Sequence, residues 1–179
     1  MFGNVLMQMA SARRTGRISE RDIEVLGFVA RYGVVPREVV ALWAGTGRAV
    51  TAARERRLRE AGLVEVRPGV GGSGRLVICK RGGLRAVGRE ELALPRLSPA
   101  TVRHSSIAAR VGAELERAGH RVLSEREIEA RERAEGKRIY SAERRYGKGF
   151  HRPDLVLLGD RPEAIEVELS DTRPGSASP

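Results

Sequence analysis

Three carboxylates near the end of the chain, Asp154, Glu166 and Glu168, have the types and spacing of a divalent-metal site. Alternation along a strand puts Glu166 and Glu168 on one face. Asp154 opens the preceding apolar run, Leu155 to Leu158, which the turn Gly159-Asp160-Arg161-Pro162 joins to Ala164 to Leu169. Two adjacent strands would then gather three hard oxygen donors. Such a set suits magnesium, held first by Asp154 and Glu166, and a bound ion could activate water beside a scissile phosphate. The same residues also describe an edge strand, with both glutamates facing solvent and Asp154 capping a turn after Pro153. His104 and His151 fit as further ligands or phosphate contacts, and equally as a cap and a packing residue.

A second set of residues is built for anions. The run Arg48 to Ala61 reads as a helix stopped by Gly62, with an inner stripe of Val50, Ala53, Leu58 and Ala61. That phase turns Arg48, Thr51, Arg54 and Glu55 outward. Arg48 and Arg54 could fork onto guanine, and Thr51 could meet a base edge or a phosphate, with Thr46 in the turn just before. Arg67 and Arg75 flank the glycine-rich tip 69–74 of a hairpin and are placed to grip phosphate without reading sequence. The alternative is a solvated helix face, with Glu55 and Glu60 pairing with Arg59 or Arg56. The glycine tip lacks the following Lys-Ser/Thr and the helix of a nucleotide loop, so it reads as a hairpin end.

Charge favours the anion-binding interpretation. Residues 1–103 hold 19 basic and 9 acidic side chains, whereas residues 104–179 hold 14 of each. The whole net charge of +10 therefore falls in the front half, which draws a polyanion there. Thirty of the 33 basic residues are Arg, an excess that GC-rich codons would also produce. The lone Cys79 rules out a disulfide framework and a cysteine-based zinc site. Nothing approaches the roughly 20 apolar residues of a membrane span. The apolar start precedes Arg13 and Arg14, the wrong order for a secretion signal. A cytoplasmic location with no membrane partner is expected.

The elements that must position these residues follow from periodicity. Residues 1–17 read as a flexible leader. Ser19 caps a helix with Ile23, Leu26, Val29 and Ala30 inward, ending at Tyr32-Gly33. Pro36 opens a short second helix through Trp43, and the third helix and the hairpin follow. A short closing helix spans Gly82 to Val87. Residues 18–88 form the predicted reader, and 89–101 read as a linker. A helix near Thr101 to Ala118, with Ile107, Val111 and Leu115 on one face, opens the second unit, 102–170. His120 to Ser124 is a strand, and Glu125 to Gly149 reads as a solvated helix plus a loop. The tail 171–179 reads as disordered.

Three helices followed by a two-stranded ribbon is the order of a winged helix-turn-helix. The back half resembles the PD-(D/E)xK nuclease fold, whose core begins helix, strand, strand, strand. By that resemblance Asp154 matches the motif aspartate and Glu166 its acid, while Glu168 stands where lysine belongs. The whole chain resembles the replication-relaxation family of plasmids, phages and integrative elements. The residues that carry this are Arg48–Gly62-Leu63-Val64, Arg81-Gly82-Gly83, His104, Pro153-Asp154 and Glu166-Val167-Glu168. The fold class it implies is α+β: an N-terminal winged helix-turn-helix followed by a small, truncated restriction-endonuclease-like αβββ domain.

The leading expectation is a binder of double-stranded DNA that serves a mobile element in replication, mobilisation or transcriptional control. The competing expectation is a magnesium-dependent endonuclease using Asp154, Glu166 and Glu168. A winged helix used only for protein contacts is the third. The back half is small for an independent core, which makes a homodimer plausible, and two-fold symmetry would let paired readers span a palindrome.

Overall fold

In the computed structural model the described residues are 18–69, 74–143 and 149–168. The expected leader, the tip 70–73 of the hairpin and the expected tail lie outside them. The fold is mixed α and β, with small antiparallel sheets. No helix among the described residues is long and apolar enough to cross a membrane.

The first helix, α1 (Glu20–Tyr32), starts on a reciprocal cap: the Ser19 hydroxyl accepts from the Asp22 N–H, and the Asp22 carboxylate accepts from the Ser19 N–H. Gly33, at φ 79°, turns the chain out of the helix. Residues Val34–Pro36 then form β1, where the sequence suggested only a break. Three residues carry little local signal; β1 exists because it pairs with a strand some forty positions later. The helices α2 (Arg37–Ala44) and α3 (Arg48–Glu60) follow, then β2 (Val64–Pro68), β3 (Arg75–Cys79) and the short α4 (Arg81–Ala86). Strand β3 is central, antiparallel to both β1 and β2, with Val34 opposite Ile78 and Val66 opposite Val77.

In the back half, α5 runs from Pro99 to Arg117, starting two residues before the expected Thr101 because Ser98 caps it and Pro99 suits its first turn. Strand β4 (Arg121–Ser124), α6 (Glu125–Glu135), β5 (Ala142–Glu143), β6 (Phe150–His151), β7 (Leu155–Leu158) and β8 (Glu163–Ile165) complete the order. The main sheet is β4-β7-β8, all antiparallel. The segment after α6 is fixed by the buried Glu132, which accepts the N–H groups of Ile139, Tyr140 and Ser141. Burial would raise its pKa, but these bonds and the Ser141 hydroxyl hold it down to about 2.

The inward face of α5 is not the one bulk hydrophobicity suggested. Ile107 lies partly exposed, while the small residues Ala108, Ala109, Gly112 and Ala113 are buried. Their size lets α5 approach α1 closely. A Cβ on Gly112 would lie 1.8 Å from the Tyr32 hydroxyl oxygen.

One hydrophobic cluster spans both halves, from Leu26, Phe28 and Val29 through Ala109 and Ala113 to Val122, Ala130 and Leu155. Phe28 stacks on Trp43 with ring centroids 4.7 Å apart. The segment between α4 and α5 also lies on this core, with Leu92 1% exposed. A buried charge network joins the halves as well. Arg31 meets Glu127 at 2.8 Å and Glu116 at 2.6 Å, and donates to the Val122 carbonyl. Arg89 reaches the other oxygen of Glu127 at 3.0 Å. Burial works against the charge on Arg31, yet the two carboxylates hold it more firmly protonated than usual.

Removing Arg31 takes the guanidinium from shielded Glu116 and leaves Glu127 to Arg89 and Ser124. Arg31→Ala should therefore cost about 3–5 kcal/mol, the usual penalty for breaking a buried pair from one side. Urea unfolding measures this, and a loss below about 1 kcal/mol would show that the network does not join the halves.

Candidate functional site

Helix α3 is rotated relative to the sequence expectation. Thr51, Glu55 and Leu58 face inward, while Val50 is 48% exposed and Ala61 is exposed. Leu58 is the one large apolar anchor; the other inward positions are held by polar pairing. Arg37 on α2 forks onto Glu55 with bonds of 2.5 and 2.6 Å. Arg57 forks onto Asp22 of α1 at 2.8 and 3.0 Å, and Arg54 lies 3.5 Å from the same carboxylate. A hydrophobic stripe could not reveal this phase, because the inward face is built from ion pairs.

The consequences for the expected contacts differ residue by residue. Arg48 is exposed. Arg54 is not outward: its side chain is 15% exposed and lies against Asp22. Thr51 is buried, its hydroxyl bonded to the Gly47 carbonyl and 3.0 Å from the Thr46 hydroxyl, so these two threonines bind each other. Arg67 is half-exposed and pairs with Glu65, while Arg75 is exposed across the ribbon from Pro68. The outward stripe of α3 is Arg48, Ala52, Arg56 and Arg59, of which the three arginines are exposed. None of these three arginine side chains has an ion pair among the described residues. Gly47 provides no side-chain cap and the first turn carries no acid, so the positive end of the helix is uncompensated. Arg56 and Arg59 were legible only as possible partners for acids, because their exposure depends on the phase.

The carboxylate site is also rearranged. Strand β8 ends at Ile165, so the alternation expected for Glu166 and Glu168 does not apply. Glu166 turns to His151 at 2.8 Å, and Glu168 is exposed. Asp154 meets different partners. Its Oδ1 lies 2.7 Å from His104 Nε2, and its Oδ2 accepts the Val167 N–H at 2.7 Å. Glu125 supplies the third group: ligand atoms of His104, Glu125 and Asp154 all lie within 4.8 Å of one another. The pairing of Ser124 with Leu155 brings Glu125 and Asp154 together, and the Glu125 N–H donates to the Asp154 carbonyl at 2.9 Å.

A cleft of about 600 Å³ opens on this cluster, lined by His104, Glu125, Phe150, His151, Arg152 and Asp154 among others. Among the described residues the cluster that gathers around Asp154 is His104 and Glu125 rather than the expected Glu166 and Glu168, and it brings an imidazole donor in place of an oxygen-only set. Glu125 escaped sequence reasoning because it comes from a helix start that looked solvated. Its signal was the juxtaposition of strand end and acid, Ser124-Glu125, which only the sheet register places beside Asp154.

No protein-family model matches the chain, and neither a curated protein nor a solved structure matches it.

Asp22 holds α3 in its observed phase and is fully buried. Burial raises its pKa, but Arg57 and Ser19 outweigh this and hold it below the ordinary 3.8. Its stabilisation is therefore complete above that value and is lost as pH falls through the lower folded-state pKa. Asp22→Asn should lower stability at neutral pH and make the acid limb of the urea midpoint shallower below about pH 4. An acid limb identical to that of the unaltered protein would show that the Asp22 pairing does not govern it.

Proposed function

We propose that this chain binds double-stranded DNA through the exposed face of α3, with the β2–β3 ribbon gripping the backbone alongside. The observation that carries this reading is the outward stripe Arg48, Arg56 and Arg59, which stands at an uncapped helix start and has alanines between its arginines. The small Ala49, Ala52 and Ala53 would let the helix backbone lie close to a groove, while the arginines reach phosphate or guanine edges. The order helix, strand, helix, helix and ribbon fits a winged helix-turn-helix, in which the last helix enters the major groove. Arg75 extends the cationic surface along the ribbon, while Arg67 beside it is paired with Glu65. The front-half excess of positive charge supports the same choice of partner.

The back half, one helix followed by the β4-β7-β8 meander, fits an αβββ nuclease-like arrangement with α6 inserted. In our reading it acts as a rigid buttress for the reader. The resemblance to the replication-relaxation family extends the proposal to a mobile element, where such a protein would act in the cytoplasm on replication, mobilisation or transcription. The engagement of Glu166 by His151, and of Asp154 by His104, favours binding over cleavage by that triad.

Each arginine that neutralises a phosphate adds about 0.9 to the magnitude of the slope of log affinity against log salt. Replacing Arg48, Arg56 and Arg59 together by Ala should weaken binding at low salt and lower that slope by about 2 to 3, depending on how many contact phosphate rather than bases. Arg54→Ala, by contrast, should act through folding stability and leave the slope nearly unchanged in the folded fraction. Fluorescence anisotropy on duplex DNA across salt concentrations measures both. Salt-insensitive binding, or none, would rule out this function and favour a protein-docking role for the same helix.

A further inference from the structure

We infer that His104, Glu125 and Asp154 form a binding site for a single divalent first-row transition ion, at the mouth of the cleft between α5 and the β4–β7 sheet. This goes beyond the DNA-binding reading and does not depend on it. The argument begins with the donors. One imidazole and two carboxylates, contributed by α5, the start of α6 and the start of β7, place their ligand atoms within 4.8 Å of one another. An ion about 2.1 Å from each donor needs separations of roughly 3–4 Å, so Glu125 must swing slightly inward. Its side chain is 49% exposed and free to do so.

A second observation concerns orientation. Ligating carboxylates in metal sites are fixed by bonds from outside the first coordination layer. Asp154 has this arrangement: the backbone N–H of Val167 binds Oδ2, leaving Oδ1 directed at His104. Asp154 is 9% exposed, so its carboxylate is not simply a solvated surface acid. Arg152 approaches Glu125 only loosely, at 3.8 Å. The Arg152 Nε has no hydrogen-bond partner of its own.

The third observation is access. The cleft of about 600 Å³ runs to the cluster from the solvent side, so three protein ligands would leave further positions open to water or a bound molecule. Mixed nitrogen and oxygen donors select manganese, iron, cobalt or zinc over magnesium, which prefers oxygen alone.

Manganese is the probe. Titration of the full chain with Mn²⁺, read by loss of the free-ion electron paramagnetic resonance signal, should show one site. His104→Ala, Glu125→Gln and Asp154→Asn should each weaken it at least tenfold, the scale on which losing a single ligand or its orienting partner acts. Glu163→Gln, which alters an exposed acid on β8, should leave affinity unchanged. Circular dichroism and urea midpoints establish that each variant is folded, and Zn²⁺ should displace the bound manganese. Absence of binding at millimolar Mn²⁺ would show a His104–Asp154 ion pair only and would overturn the proposal. Loss of binding in Glu166→Gln with retention in Glu125→Gln would overturn it equally, in favour of the oxygen-only set. Because the DNA assay needs no metal, failure here leaves the α3 reading standing, and failure there leaves this one standing.

Discussion

Arg31 leaves the end of α1 and meets acceptors from three places in the back half: Glu116 on α5, the Val122 carbonyl on β4 and Glu127 on α6. A guanidinium suits such a position because its fixed fork can satisfy several partners at once, where a lysine would offer a point charge. The surrounding bonds close the arrangement. The Ser124 hydroxyl donates to the Arg31 carbonyl at 2.9 Å, and Trp43 donates to the second oxygen of Glu116 at 2.7 Å. With α5 also seated on α1 through its glycine and alanines, the two halves share a core and a buried network. The placement of α3 relative to the cleft follows from that junction, since both are anchored to α1 or to elements that α1 touches.

The same principle sets the phase of α3. Asp22 and Glu55 are acids that a hydropathy reading assigns to solvent, yet each is buried because a guanidinium from another helix completes it. Burying a charge is tolerable only when it is paired and hydrogen-bonded. Once these pairs fix one side of the helix, geometry alone decides what remains outside: Arg48, Ala52, Arg56 and Arg59. The cationic face is thus a by-product of how the opposite face is satisfied.

The sequence was most legible where local chemistry dictates structure. The Ser19 cap, the helix starts near Pro36 and Arg48, and the β2–β3 hairpin all follow from residues within a turn or two of one another. It was least legible where the deciding partner lies far along the chain. Strand β1 depends on β3; the face of α5 depends on Tyr32; the rotation of α3 depends on Asp22 and Arg37. The cluster at Asp154 is the extreme case, because residues 104, 125 and 154 share no spacing that a motif could encode. Alternation placed Glu166 and Glu168 together only while the strand was assumed to continue, and β8 ends one residue short of Glu166.

Charge counting needs the same correction from topology. The formal excess in the front half is real, but Arg31 and Arg89 are matched by Glu116 and Glu127 from the electrically balanced back half. Arg21, Arg37, Arg57 and Arg67 are matched within the front half. A paired arginine still contributes at long range only as one end of a dipole, whereas an unmatched one projects its full field over roughly a Debye length of about 8–10 Å. The field that a polyanion meets is therefore far more local than the sum over half the chain implies. Unmatched basic side chains coincide with an uncapped helix start at α3, with Arg48, and at the shorter α4, with Lys80 and Arg81. Buried pairing across the junction thus does two things at once: it holds the halves together, and it withdraws Arg31 and Arg89 from the charge that the surface presents.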